Sequence, residues 1–266
     1  MEKIAFGTYF SDGASSFTAA QRDKKEGIWI TYILAERAIS DLNRELPVES
    51  DKTRLLRGEF LKADIPQLLE KISRQCMVSR AKEILGDELI GEIEKTQGID
   101  ISSLQIEELA RYHQKGAYEN IWKKGISHTI TLTPFISLTS NIETAFNAAI
   151  NSIEIGKGIE MGVYTNEDGT PNEQFYQKVG EYVSKGYKPV IYIIDVPNSA
   201  IKEIEQISNY KISEIKGLAI KNSKNGYGEN EYITLSIDPS LIKGIIVFIG
   251  NPYDLKEGDA WKFYRL

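Results

Sequence analysis

The chain has 266 residues, 41% hydrophobic and 26% charged, the composition of a globular protein long enough for one large domain or two modest ones. Its 32 basic and 38 acidic residues give a formal charge of −6, which lacks the basic excess of a phosphate-backbone binder, so no nucleic-acid partner is expected. A single cysteine, Cys76, excludes an internal disulfide and a cysteine-rich zinc cage, and with His113 and His128 as the only histidines no metal site is expected.

The first residues, "MEKIAFGTYFSDGASS", lack the charged start and apolar core of a secretory signal. Apolar runs such as "PVIYIIDV" and "IIVFIG" are strand-sized, so the expectation is a soluble chain with no membrane span. Residues 26 to 46 carry apolar side chains at helical spacing. "TRLLRGEF", 53 to 60, reads as a short first strand ended by Gly58. From Ile65 to Gln97 the pattern is helical again, with Pro66 at the start and Leu68, Leu69, Ile72, Ile84, Leu85, Leu89, Ile90 and Ile93 on the apolar face. Residues 102 to 124 read as a further helix, bent near Gly116.

After Gly125 the pattern turns to β. "HTITLTPFISL" alternates threonine with apolar residues. Residues 141 to 152 read as a helix capped by Asn141, "GVYTNEDGTP" as a strand running into a turn, and 172 to 186 as another helix. The remaining predicted strands are 188 to 196, 217 to 221, 230 to 237, 243 to 249 and 260 to 266. This ordering predicts an α+β protein, with a mainly helical lobe over 1–124 that includes the strand near Arg57 and a β-rich core over 125–266. No Gly-rich phosphate loop of the GxGxxG or GxxxxGK[ST] kind is present.

Three stretches bear on chemistry. "TRLLRG" places Arg57 after two leucines and before a glycine. "TPFISLTSNIETAFNAA" closes a strand with the hydroxyls of Ser137, Thr139 and Ser140 and runs into a helix. "SKNGYGENEYITLSI" puts Glu229 and Glu231 two positions apart, where a regular strand would turn both to one face. Taken singly, these read as an edge arginine, a strand end with a helix cap, and a solvated strand end. In this order they resemble mono-ADP-ribosyltransferases of the Arg-Ser-Glu class, and the resemblance covers Arg57 and roughly residues 125 to 250. The middle residue of the hydroxyl motif, Leu138, stands where that family more often has a small polar residue, and the long interval from Arg57 to Ser137 implies an inserted helical segment.

The resemblance implies a split β-sandwich with the helical lobe packed on it, NAD as co-substrate, and no metal. Glu231 would stabilise the ribosyl cation left when nicotinamide departs, while Glu229 would orient an acceptor arginine and take its proton. Ser137 would hold the catalytic carboxylate, and Thr139 would back the same wall. Arg57 would bind the NAD pyrophosphate, with Arg54 and Arg111 as alternatives for that role. Tyr227, between Gly226 and Gly228, would meet the protein acceptor. Apart from the resemblance, the length of the helical lobe and its lack of a motif raise the hypothesis that it chooses the acceptor. The implied setting is a monomeric bacterial toxin or effector, exported by a signal-less route into a host cytosol. An NAD glycohydrolase, a transferase acting on another acceptor such as a hydroxyl, and a non-catalytic interaction module are the rivals. Cys76 reads as a buried structural thiol, His113 beside Tyr112 as helix surface, and His128 as a structural or exposed residue rather than a general base.

Overall fold

A computed structural model describes residues 3–4, 24–101, 104–115, 118–123, 125–151, 173–222, 230–252 and 254–266. The chain is a mixed α and β protein built on a large sheet with several helices. Strand β1 (Lys3–Ile4) precedes helix α1 (Lys24–Glu45) and strand β2 (Lys52–Lys62). Next come α2 (Ile65–Arg74), β3 (Met77–Val78), α3 (Arg80–Leu85), α4 (Leu89–Gln97) and α5 (Ile106–Lys115). A hairpin of β4 (Tyr118–Lys123) and β5 (Ile126–Thr131) leads to β6 (Ile136–Thr139) and α6 (Ile142–Asn151). Helix α7 (Glu173–Ser184) is followed by β7 (Tyr187–Pro197), β8 (Ile201–Glu203), β9 (Ala219–Lys221) and β10 (Glu231–Thr234). The chain finishes with β11 (Ser236–Ile237), β12 (Ile242–Ile249) and β13 (Ala260–Arg265).

Nine of these strands share one sheet in the order β1-β13-β12-β7-β2-β6-β10-β9-β8. At its centre β2 lies beside β7, whose "VIYIIDV" run is buried on both faces and so reads as apolar throughout but for Asp195. Strand β2 pairs with β7 along its full length, from Lys52 opposite Pro197 to Lys62 opposite Tyr187. Its other edge meets β6 in register only at Leu56 opposite Thr139. That one pair joins two halves of the sheet. The hydrophobic cluster containing Leu55, Tyr192, Ile194, Ile245 and Val247 of the first half also takes in Ile136, Leu138 and Tyr232 of the second, so both halves close over a shared core. Helices α1, α6 and α7 cover the outer face of the first half through Leu34, Ile39, Leu42, Phe146, Ile150 and Val179. Helices α3, α4 and α5 cover the second half through Leu85, Leu89, Ile93, Ile106 and Leu109, packed with Ile220 and Ile233.

Several sequence expectations need correction. The helical stretch from Ile65 to Gln97 is three helices. Asp64 caps α2 by accepting from the Gln67 amide, and Ser79 caps α3 by accepting from the Lys82 amide. Between them β3 pairs with β11, Met77 opposite Ile237. Cys76 lies beside this break and is exposed rather than buried, because no packed helix face runs through it. The helix foreseen to residue 124 ends at Lys115. "YENIWK" forms β4 instead, its branched and aromatic residues pairing with β5 from Tyr118 opposite Thr131 to Lys123 opposite Ile126. Gly125, at φ 76°, supplies the left-handed turn. Gly58 does not end its strand, since β2 runs on to Lys62. An ideal Cβ at Gly58 would overlap the Ala145 carbonyl and stand 2.5 Å from the Ala149 amide, so α6 crosses β2 where no side chain fits. The strand expected in "GVYTNEDGTP" lies outside the described residues.

Candidate active site

Strands β6 and β10 pair antiparallel with Thr139 opposite Glu231 and Ser137 opposite Ile233. Opposed residues share a face, so Ser137, Thr139 and Glu231 all project from one side of the sheet. Beside them opens a cavity of about 610 Å³ at the junction of the two sheet halves, lined by Arg57 and Gly58 of β2, these three residues, and the first turns of α6. Among the described lining residues Arg57 is the one cation, set against Glu143 and Glu231. The sequence folds this way because Asn141 starts α6 immediately after β6. Its Oδ1 accepts from the Glu143 and Thr144 amides, and its own amide donates to Thr139 Oγ1 at 2.9 Å.

Glu231 is 7% exposed. A carboxylate so placed needs partners, since desolvating an unpaired charge is costly. Its Oε2 accepts from Asn222 Nδ2 at 2.9 Å, and its backbone carbonyl accepts from the Asn222 amide at the same distance. Its Oε1 stands 3.4 Å from His113 Nε2. The same imidazole nitrogen meets Ser137 Oγ at 2.7 Å, while His113 Nδ1 meets Thr133 Oγ1 at 2.8 Å. Ser137 and the carboxylate therefore meet at the imidazole. This corrects the reading of His113 as helix surface: its side chain is 10% exposed and lies among the site residues.

Arg57 donates through Nε to Glu59 Oε1 at 2.8 Å and through Nη1 to the Ser137 carbonyl at 3.0 Å, with Nη2 2.6 Å from the same Glu59 oxygen. A guanidinium has five N–H groups; these contacts leave one on each terminal nitrogen for a further acceptor. Below it, burial and the Glu59 carboxylate push the Tyr192 hydroxyl well above its usual range, so Tyr192 is held as a neutral donor to Glu59. The two alternative arginines sit differently. Arg54 forms a buried fork with Asp195 at 2.8 Å through both Nε and Nη2, and Nη1 donates to Asn43 and to the Leu46 carbonyl. It ties α1 to β2 and β7. Arg111 pairs with Glu107 on an exposed face of α5.

Comparison with protein-family models, with curated proteins and with solved structures gives no match. The chemistry of the site thus rests on its own residues.

Of the predicted site residues, Arg57, Ser137, Thr139 and Glu231 line one cavity. Glu229 and Tyr227 lie outside the described residues. Strand β10 begins at Glu231, and Asn230 before it has a left-handed φ of 46°. His113 and Asn222 are the residues that sequence reasoning missed. For His113 a signal existed: Ile106, Leu109, Ala110 and His113 fall at positions i, i+3, i+4 and i+7, the inward stripe of α5, and the first three are buried. Asn222 carries no such mark, since only the pairing of β9 with β10 brings it to Glu231. Among the described residues no group of three or more His, Cys, Asp or Glu could hold a metal ion, and no helix is long and apolar enough to cross a membrane.

Proposed function

We propose that the protein is a mono-ADP-ribosyltransferase that moves ADP-ribose from NAD to a side chain of a host protein, arginine first, and releases nicotinamide. The observation that carries this reading is the convergence of Arg57, Ser137 and Glu231, from three distant stretches of chain, on one cavity. In this reading the large sheet, joined at the single pair between β2 and β6, is the split β-sandwich of such an enzyme, with the dinucleotide in the junction.

The two uncommitted N–H groups of Arg57 suit a pyrophosphate, which a planar fork recognises better than a point charge. When the bond between ribose C1′ and the pyridinium nitrogen breaks, the electron pair leaves with nicotinamide and positive charge develops on the ribose. A buried carboxylate held by Asn222 stabilises that charge with little reorganisation. The acceptor nitrogen then bonds to C1′. Its lost proton goes to Glu229, which in this reading makes an otherwise fully protonated guanidinium nucleophilic. Water in place of the acceptor would give free ADP-ribose. A toxin or effector, monomeric and reaching a host cytosol by a signal-less route, is the setting that the family resemblance supports.

The test is to incubate the protein with tagged NAD and a eukaryotic lysate, beside Glu231→Gln and Glu229→Gln. The expected result is a discrete labelled protein that requires both glutamates, with nicotinamide release falling by roughly 100- to 1,000-fold in Glu231→Gln. Nicotinamide release without a label, lost only in Glu231→Gln, would replace transfer by glycohydrolysis. Neither product from a folded chain would make the cavity part of a non-catalytic interaction module.

A further inference from the structure

The imidazole of His113 touches both Ser137 and Glu231, and its neighbours determine which nitrogen carries the proton. Its Nδ1 faces Thr133 Oγ1 at 2.8 Å, and its Nε2 faces Ser137 Oγ at 2.7 Å and Glu231 Oε1 at 3.4 Å. The ring packs edge-on against Phe135, with centroids 5.9 Å apart. Hydroxyls can donate or accept, but an ionised carboxylate only accepts. A lone pair on Nε2 would point at the Glu231 oxygen and repel it, whereas a proton there is attracted by both Glu231 and Ser137. The other end of the ring agrees. Thr133 Oγ1 already accepts from the Phe135 amide at 3.1 Å, which leaves its own hydrogen to donate to Nδ1. Thr133 is fixed in turn, because its carbonyl accepts from the buried Ser79 hydroxyl at 2.8 Å.

We infer that His113 is a positioning residue for the reaction proposed above: its Nε2–H donates to Ser137 Oγ beside Glu231, so that the Ser137 hydroxyl keeps its own hydrogen for the bound dinucleotide. The inference rests on that functional reading for its purpose, but its geometry stands alone. Both ring nitrogens are committed, to Thr133 on one side and to the Ser137–Glu231 pair on the other, so His113 does not take the acceptor's proton. It fixes the serine's donor direction and places a donor beside the reactive carboxylate. The consequence is that a site built on β6 and β10 depends on a side chain from α5, in the segment expected only to choose the acceptor.

Two measurements on the full chain test this. The first is the ¹⁵N spectrum of the histidine rings, recorded at pH 8. With two histidines in the chain, His128→Gln assigns the signals. The expected state of His113 is a proton on Nε2 and none on Nδ1, and a proton on Nδ1 would overturn the proposal. The second is turnover. His113→Gln keeps an amide N–H near the Nε2 position and is expected to hold nicotinamide release within about tenfold of wild type. His113→Ala and His113→Asn, which lack a donor there, should lose about 100-fold in kcat with little change in KM for NAD. Equal losses in all three would overturn the proposal. A wild-type chain that releases no nicotinamide would defeat the functional reading, while the ring nitrogens would still decide the wiring.

Discussion

Arg57 has to be a fork. It holds Glu59 with two nitrogens and the Ser137 carbonyl with a third, and so braces β2 against β6 where the two halves of the sheet meet. A lysine could make one of these contacts but not the set. If the remaining N–H groups bind a pyrophosphate, Arg57→Lys should weaken NAD about tenfold, which is about 1.4 kcal/mol. At an NAD concentration of 100 times the wild-type Kd, the stabilisation measured by denaturant unfolding should fall from about 2.7 to about 1.4 kcal/mol. Arg111→Lys, on the exposed face of α5, should leave it unchanged. The reverse ranking would move the anion site away from Arg57. The sequence supplied three candidate arginines and no means to rank them, because rank depends on the partners folding provides. Arg54 is taken by Asp195, Asn43 and a carbonyl, and Arg111 by a neighbour on its own helix. Ser137 and Glu231 were legible because each sits in a short motif on a strand. Asn222 was not, since its contact arises from strand pairing across residues 223–229.

At the level of elements, the informative residue is the glycine after Arg57. Glycine costs a strand entropy and offers no side chain to pack, so in a central strand it calls for a reason. Here α6 supplies it: the Ala145 carbonyl and the Ala149 amide occupy the space of a Cβ at Gly58. The obstruction is backbone, which cannot rotate aside as a flexible side chain can. Gly58→Ala should therefore push α6 off the sheet and destabilise the fold by about 1–3 kcal/mol, the usual cost of overpacking. Because the first turns of α6 line the cavity, the same change should weaken any ligand there. A loss under about 0.5 kcal/mol by chemical denaturation, within the range of ordinary surface changes, would mean that helix and strand do not approach this closely. A local rule makes Gly58 a strand end, and a tertiary contact overrides it. The same holds for "YENIWK", where a continuing helix yielded to a hairpin set by Gly125. Strands 188 to 196 and 243 to 249 are legible nearly to the residue, because both are buried over most of their length and carry long apolar runs.

For the whole molecule, the question is whether helices α3 to α5 form an attachment or part of the core. Sequence composition separates a helical stretch from a β-rich one near residue 125, but it does not show which apolar faces meet. The buried cluster under these helices includes Ile204, Ile207, Ile215, Ile220 and Ile233, all from the later part of the chain, and Ile220 and Ile233 are fully buried. Each buried isoleucine contributes roughly 1.5–3 kcal/mol. Uncovering several of them would cost an amount comparable to the whole stability of a typical domain, about 5–15 kcal/mol. His113 adds a second dependence, because α5 delivers it to Ser137 and Glu231. Elements that share a core and a site should melt together. The full chain should show one thermal transition with equal calorimetric and van't Hoff enthalpies, and a chain lacking residues 79–124 should show no cooperative transition. Two separate transitions in the full chain, or a shortened chain that still melts cooperatively, would make the helices a detachable lobe. Domain exchange would then become the way to ask whether they choose the acceptor. With a single transition, that question has to be put to their exposed faces, by substitutions that leave the shared core and His113 in place.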